Sequence, residues 1–399
     1  EQQATATDST HVSTTDILSG NSTDGTMSGT CGATEQDNVR WTLNKNGETV
    51  TIDGEPKDAY TLTISGTGAM ADVSYNWTDL DTAPWAQFRS QITKIVIGEE
   101  ITSIGKYAFI KTGIRDLDLS ACSSLICISE RAFSSIGADF ESVIFPDSLE
   151  EIGTAAFSGA GFTEIDLTKC KTLHTLCEEA FSYCSSLKFV NILGCESLRE
   201  IGKSCFHSCQ ELENIELPNS IVSIKDAAFA NTGLTTVKWN NLTNLENIAG
   251  QVFSKNNNLS VVSLSGCSSL RTIGQYLFLE SSNVITVDLT GCTSLTQVEY
   301  PHEFDNVAQN CVVYSEIPLK LPRKTIGAIT NGGTFAEGTE FTSGTLATPI
   351  KDGAIFAGWY ADSNFSGSPV TSTTAGQSYY AKWIDLSTLS VDSIQYGGT

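Results

Sequence analysis

Three stretches of this sequence place chemically capable residues close together. Ile152 to Gly161 reads IGTAAFSGAG, and glycines among small residues are the composition of a loop whose backbone N–H groups cradle a phosphate. Cys205-Phe-His207-Ser-Cys209 brings a thiol, an imidazole and a second thiol together, which are donor types that hold zinc. Carboxylates recur inside short apolar segments such as DLD (116 to 118) and EID (164 to 166), where they could meet a cation or an amine.

The elements that must position these residues change their meaning, because the first phrase is not unique. Its I-G-x-x-A-F core recurs in SIGKYAF (103 to 109), SERAF (129 to 133), LCEEAF (176 to 181), IGKSCF (201 to 206), IKDAAF (224 to 229), IAGQVF (248 to 253) and IGQYLF (273 to 278). The aromatic falls at Phe109, Phe133, Phe157, Phe181, Phe206, Phe229, Phe253 and Phe278, in steps of 24, 24, 24, 25, 23, 24 and 25. A phosphate site needs one strand-loop-helix with the helix N-terminus aimed at the anion. A phrase repeated at a fixed period is instead the signature of a solenoid.

Behind each Phe comes a short apolar-x-apolar strand: LDL (117 to 119), VIF (143 to 145), IDL (165 to 167), VNI (190 to 192), IEL (215 to 217), VKW (237 to 239), VSL (262 to 264) and VDL (287 to 289). KIVIG supplies one more in front. Such a unit cannot bury its apolar side alone, and stacking on neighbours at about 4.8 Å does so. Each unit reads as one strand and one Phe-bearing, helix-like turn. Gly153 turns the chain, and Ile152, Ala156 and Phe157 enter the core. The expected fold class is an α/β solenoid of eight to nine repeats of about 24 residues.

Within that frame Cys205 takes the buried Ala place and Phe206 the core, leaving His207 outside, so no metal site is expected. Cys122, Cys170, Cys195, Cys267 and Cys292 each follow a strand end by three residues, and Cys184 and Cys209 follow a Phe by three. Repetition of this kind points to packing under a turn. The pairs Cys170/Cys195, Cys267/Cys292 and Cys184/Cys209 lie in adjacent units, close enough for a bridge although in-register side chains point alongside each other. Free thiols would suit a reducing habitat. The four histidines, His11, His174, His207 and His302, have no nucleophile and orienting acid at a known spacing. No enzyme activity and no cofactor are expected.

The net charge of −23 would repel phosphate backbones and anionic lipid, which argues against nucleic-acid and membrane-surface roles. No apolar run is long enough to span a bilayer, so no membrane insertion is expected. Residues 1–29 are rich in Ser, Thr, Asp and Gly and read as a flexible leader, left after removal of a signal peptide. LPRKT (321 to 325) resembles a sortase signal but lacks its Gly and the apolar stretch that would follow, and reads as linker.

The repeat resembles the BspA-type leucine-rich repeat of bacterial cell-surface proteins, whose units run roughly I-G-x-x-A-F-x-x-C-x-x-L-x-x-I-x-L-P-x-S-V. SYCSSLKFVNI (182 to 192) and HSCQELENIELPNSIVSI (207 to 224) carry the match, within an array assigned to 92–315. Ser129 and Glu130 depart from it, and VEYPHEFDNV (298 to 307) is degenerate. Residues 30–91 resemble the β-rich piece that precedes such arrays, with Trp85 and Phe88 closing the open end. Residues 316–385, through FAGWY and YAKW, resemble an internalin-type B repeat, a small β-grasp-like module; 386–399 begin a further module or a tail.

The strand residues facing away from the core are Lys94/Val96, Asp116/Asp118, Ser142/Ile144, Glu164/Asp166, Phe189/Asn191, Asn214/Glu216, Thr236/Lys238, Val261/Ser263 and Thr286/Asp288. They form an acidic strip with isolated apolar spots. Asp116, Asp118, Glu164, Asp166, Phe189, Asn191, Glu216, Lys238 and Asp288 are the candidate ligand-binding residues, suited to a cationic, amine-bearing or calcium-bridged partner. The resemblance implies a cell-surface or secreted protein, acting as a single chain, that binds a protein or glycan ligand on host or neighbouring cells. The alternative is a spacer that presents a downstream domain and has no ligand of its own.

Overall fold

The computed structural model describes residues 26–78, 80–137, 139–295, 302 and 304–388. The first 25 residues of the leader with His11, the final residues 389–399 and much of VEYPHEFDNV lie outside the described residues.

Three antiparallel strands, Met27–Thr30, Asn38–Ile52 and Glu55–Ala69, form the N-terminal cap. The leader therefore ends earlier than its assignment to 1–29: Met27–Thr30 is paired along Arg40 to Leu43, and Gly29 lies where a Cβ would meet the Trp41 ring at 2.8 Å. The third cap strand seeds both faces of the solenoid. Tyr60 to Ile64 pair with Ile92–Ile97, and Gly68 and Ala69 pair with Ile101–Ile104.

Each unit contributes two ladders where the sequence suggested one. The apolar-x-apolar segments form short parallel strands such as Asp116–Asp118 against Ser142–Ile144 and Glu164–Asp166 against Phe189–Asn191. On the other side, Cys127–Ile128, Glu151–Ile152, Thr175–Leu176, Glu200–Ile201, Ser223–Ile224, Asn247–Ile248 and Thr272–Ile273 continue in register from Ile101–Ile104. These are only two residues long, too short to leave an alternating pattern of their own.

No α-helix occurs among the described residues, which corrects the α/β class to strands and turns; the helical turns are 3-10 segments at Ala86–Gln91 and Leu386–Thr388. The Phe-bearing turn fails to wind into a helix because its backbone alternates in hand. The residue two before each Phe has φ of 52 to 58°: Tyr107, Arg131, Ala155, Glu179, Ser204, Ala227, Gln251 and Tyr276. The residue two after it is also left-handed, from Lys111 to Glu280, with φ of 56 to 74°. A left-handed residue costs about 1–2 kcal/mol, and the compensation is a ladder between units. The N–H groups of Ala155, Phe157 and Gly159 donate to Glu178, Ala180 and Ser182 carbonyls at 2.8, 2.9 and 2.8 Å, and the pattern repeats along the array. Gly153 is not the residue that bends the chain; it makes room, since a Cβ there would lie 2.9 Å from the Ile128 carbonyl.

The rings stack. Trp85 lies 5.7 Å from Phe109, and centroid steps of 5.2 to 5.7 Å join Phe109, Phe133, Phe157, Phe181, Phe206 and Phe229. Trp239 bridges Phe229 and Phe253 at 5.2 and 5.4 Å, and Phe278 and Phe304 complete the column. All are buried.

The strand ladder does not stop at the array. Val312–Ser315 adds to Thr286–Asp288, Ile326–Ile329 adds to that, Ser378–Asp385 follows in parallel, and Ala354–Tyr360 closes the sheet antiparallel. Its outward face carries a second core, in which Tyr314 packs against Phe335, Phe341 and Trp359.

Candidate binding face

Alternation along a three-residue strand points the middle side chain inward and the outer two to solvent. Leu117 and Ile165 are buried, while Asp116, Asp118, Glu164 and Asp166 are exposed. In-register pairing then aligns the outward residues into two columns. Asp116 neighbours Ser142 and Asp118 neighbours Ile144; Glu164 neighbours Phe189 and Asp166 neighbours Asn191. Pairing lapses beyond Ile144 and around Asn214 to Leu217, the two units in which Pro146 and Pro218 stand at the strand end and have no N–H to donate. Glu216 nevertheless remains exposed between its buried neighbours Ile215 and Leu217.

The carboxylates differ in their partners. Hydrogen bonding from the Ser120 side chain, and from its N–H at 2.9 Å, holds the Asp118 carboxyl below the ordinary carboxylate range, and Asp166 accepts from Thr168 N–H and Oγ1 at 3.0 and 2.7 Å. No cationic group lies within ion-pair distance of Asp116, Asp118, Glu164, Asp166 or Glu216 among the described residues. Five of the array's basic side chains are instead paired between units on other surfaces: Lys106–Glu130 at 3.5 Å, Lys171–Glu196 at 3.1 Å, Lys203–Glu178 and Lys225–Glu200 at 2.9 Å, and Arg271–Glu246 at 3.9 Å. Lys94 and Lys238 stand at the two ends of the open face.

Apolar side chains interrupt the acids. Phe189 is 59 % exposed and Ile144 53 %, and Leu193, two residues beyond the strand, is 50 % exposed. Leu193 was not among the candidates; the signal for it is an apolar residue where sister units carry Ser120 and Thr168.

Eight of the nine candidate residues share this open face, from Asp116 to Lys238. Asp288 does not. The module beyond the array covers the strand face from Ser263 onward, so Asp288 is only 3 % exposed and aligned with the buried Tyr314. Thr290 N–H and Oγ1 donate to its Oδ1 at 3.0 and 2.8 Å, and Ser263 Oγ lies 3.1 Å from Oδ2. Burial raises its carboxyl above the ordinary range despite these bonds.

All twelve cysteines are free thiols in this structure. Several buried ones donate to backbone carbonyls of the preceding unit: Cys195 to Leu167, Cys209 to Phe181, Cys267 to Trp239 and Cys292 to Leu264, at 3.1 to 3.2 Å. Burial pushes the Cys195 thiol up to about 12 and Cys267 to about 11. Cys205 and Cys209 are fully buried, whereas His207 is half-buried and edge-on to Tyr183. Among the described residues no group of His, Cys, Asp and Glu is placed to hold a metal ion.

Residues 86–196 and 174–300 match the family described as BspA type leucine rich repeat region, in six copies that together span more than half of the chain. The chain belongs to this family. The BspA-type match begins at Ala86, beside the Trp85 that opens the aromatic column, and ends within the last unit of the array. No curated protein matches the sequence. Among solved structures, a leucine-rich repeat protein from Bacteroides ovatus is 20 % identical, with 70 % of this chain and 89 % of that chain covered and a TM-score of 0.35. A leucine rich cell surface protein from Faecalibacterium prausnitzii is 14 % identical, with 78 % and 90 % covered and a TM-score of 0.33. The pneumococcal vaccine antigen PcpA is 16 % identical, with 72 % and 94 % covered and a TM-score of 0.23. At such scores the family assignment rests on the repeat match alone.

Proposed function

We propose that this chain is a surface-displayed, non-enzymatic binding protein whose open strand face takes a basic stretch of a partner protein. One observation supports the reading above all: Asp116, Asp118, Glu164, Asp166 and Glu216 have no ion-pair partner among the described residues, while Lys106, Lys171, Lys203 and Lys225 are paired from unit to unit elsewhere on the array. The exposed Phe189, Ile144 and Leu193 between them offer apolar contact to the stem of a long basic side chain.

The family resemblance supports a bacterial cell surface, or secretion after loss of a signal peptide, as the place of action. We take the array as eight to nine units, where six copies match the family, and residues 316–385 as the B-repeat-like, β-grasp-like module, with the protein acting as a single chain. No cofactor enters this reading.

The test is retention of the folded chain on arrayed matrix, host-surface and microbial-surface proteins, compared with an Asp116→Asn, Asp118→Asn, Glu164→Gln, Asp166→Asn variant. Binding should fall with rising salt, as expected for complementary charge, and should be lost in the variant. Equal binding by the variant would remove this face from consideration, and absence of any binding would favour the spacer.

A further inference from the structure

A cleft of about 520 Å³ lies between the last unit of the array and the module beyond it, and shares no residue with the acidic strip. Its volume is that of an ordinary small-ligand site. Side-chain hydroxyls and an amide line it: Ser343, Thr345, Thr371, Ser372, Thr373 and Asn310. Leu346, Val370 and the ring of Trp359 supply the apolar part of the wall. None of the lining residues is charged, although charged residues make up 17 % of the chain and its net charge is −23.

The walls are tied to one another. Gly344 N–H donates to the Asn310 carbonyl at 3.0 Å and Ser343 Oγ to the Gln309 carbonyl at 3.2 Å, joining the 343–346 loop to the array. Thr373 Oγ1 donates to the Gly344 carbonyl, Trp359 Nε1 to Ala347 at 3.1 Å, and Val370 N–H to Trp359 at 2.8 Å. At the open rim of this set, the exposed side-chain hydroxyls of Thr345, Thr371 and Ser372 have no protein partner among the described residues. Each can donate and accept.

Hydroxyls that both give and take hydrogen bonds, an apolar patch beside them and no charge fit one chemistry: a sugar ring, with hydroxyls at its rim and C–H groups on its faces. A charged ligand would find no counter-charge in the lining, and a purely apolar one would leave unpaired whichever of the hydroxyls it covers. We infer that the cleft between Asn310, Thr345 and Thr371 to Thr373 binds an uncharged saccharide. The site is separate from the strand face, so the protein carries one surface for basic protein and one for neutral glycan.

The test is affinity electrophoresis of the full chain through gels containing glycogen, galactomannan, xylan or mixed-linkage β-glucan, with pectin and hyaluronan as acidic counterparts. Retardation is expected in at least one neutral gel. A Thr345→Ala, Thr371→Ala, Ser372→Ala variant should bind about tenfold more weakly or worse, given the usual worth of hydrogen bonds. These side chains are solvent-exposed, so its melting temperature should match the parent. Ser372→Trp, which fills the cleft, should abolish retardation, while the Asp116, Asp118, Glu164, Asp166 variant, referred to its own mobility in a gel without polysaccharide, should be retarded as much as the parent. Free migration in every neutral gel, retardation only in acidic gels, or undiminished retardation of the triple variant would each overturn the inference.

Discussion

Arg89 and Asp81 are joined by two hydrogen bonds, Nε to Oδ2 at 2.5 Å and Nη2 to Oδ1 at 2.9 Å, beneath the first Phe turn of the array. The guanidinium also donates to the carbonyls of Ala108 at 2.7 Å and of Tyr107 and Ile110 at 3.1 Å. Elsewhere the carbonyls in the places of Ala108 and Ile110, such as those of Ala180 and Ser182, accept from the unit before, whereas the one in the place of Tyr107 accepts within its own turn. The first unit has none before it, so Arg89 and the Trp85 Nε1, 2.9 Å from the Ala108 carbonyl, stand in for the missing N–H groups.

Removing Asp81 leaves a buried guanidinium without its counter-charge. Asp81→Ala should therefore destabilise the N-terminal end by about 3 kcal/mol, the lower part of the range for broken buried pairs because Asp81 keeps some contact with water. Arg89→Met should cost a comparable amount, because it orphans the Ile110 carbonyl, at about 1–3 kcal/mol, and leaves the Asp81 carboxylate without its partner. Urea titration with hydrogen exchange at residues 101–112 reads both; unchanged midpoints would refute this account of the cap.

The thiols should be silent in the native protein. Burial holds Cys170, Cys184 and Cys195 at about 12, so little thiolate forms at neutral pH. Ellman titration should find few reactive thiols in the native chain and twelve in denaturant without reductant. Fewer than twelve after unfolding would mean that bridges exist. Cys209→Ala should cost about 1–3 kcal/mol, from the lost packing and the stranded Phe181 carbonyl.

The junction should respond to pH in a definite direction. Because folding raises the Asp288 carboxyl, its contribution favours the folded state fully below the ordinary value of about 3.9 and is lost as pH rises through the folded value. Asp288→Asn removes that loss. Its new amide nitrogen can donate to Ser263 Oγ, which lies 2.7 Å from Asn240 Oδ1 and donates there. The variant should melt above the parent at pH 7, with the gap closing as the pH falls to about 4. A gap that widens on acidification would contradict the sign.

Phe189 should separate stability from binding. Its side chain is mostly in water, so Phe189→Ala should change stability by no more than about 0.5 kcal/mol. Phe157→Ala, at a fully buried step of the ring column, should cost about 3–5 kcal/mol. If the strand face binds a partner, Phe189→Ala should weaken that binding with an unchanged melt.

Much of this was legible in the residues themselves. The spacing from Phe109 to Phe278 determined a solenoid and which side chains stack, because a periodic unit can bury its apolar side only on copies of itself. Period-two alternation likewise told apart Asp116 and Asp118 from Leu117. The helix-like reading of I-G-x-x-A-F came from composition, which is blind to the hand of the backbone. Tyr107, Glu179 or Gln251 are ordinary residues that nothing local marks as left-handed, and only the carbonyl-to-N–H ladder between units makes them so.

Tertiary structure alone decided where the binding face ends. Asp288 has the same local pattern as Asp118, yet one is buried and the other open, because strands from Val312 to Asp385 extend the sheet and lay a second core over its outer side. Likewise nothing beside Arg89 in the sequence marks it for burial, and it is buried because the first turn is stacked above it. Local pattern determines which way a side chain points; what it then meets depends on chain that lies far away in sequence.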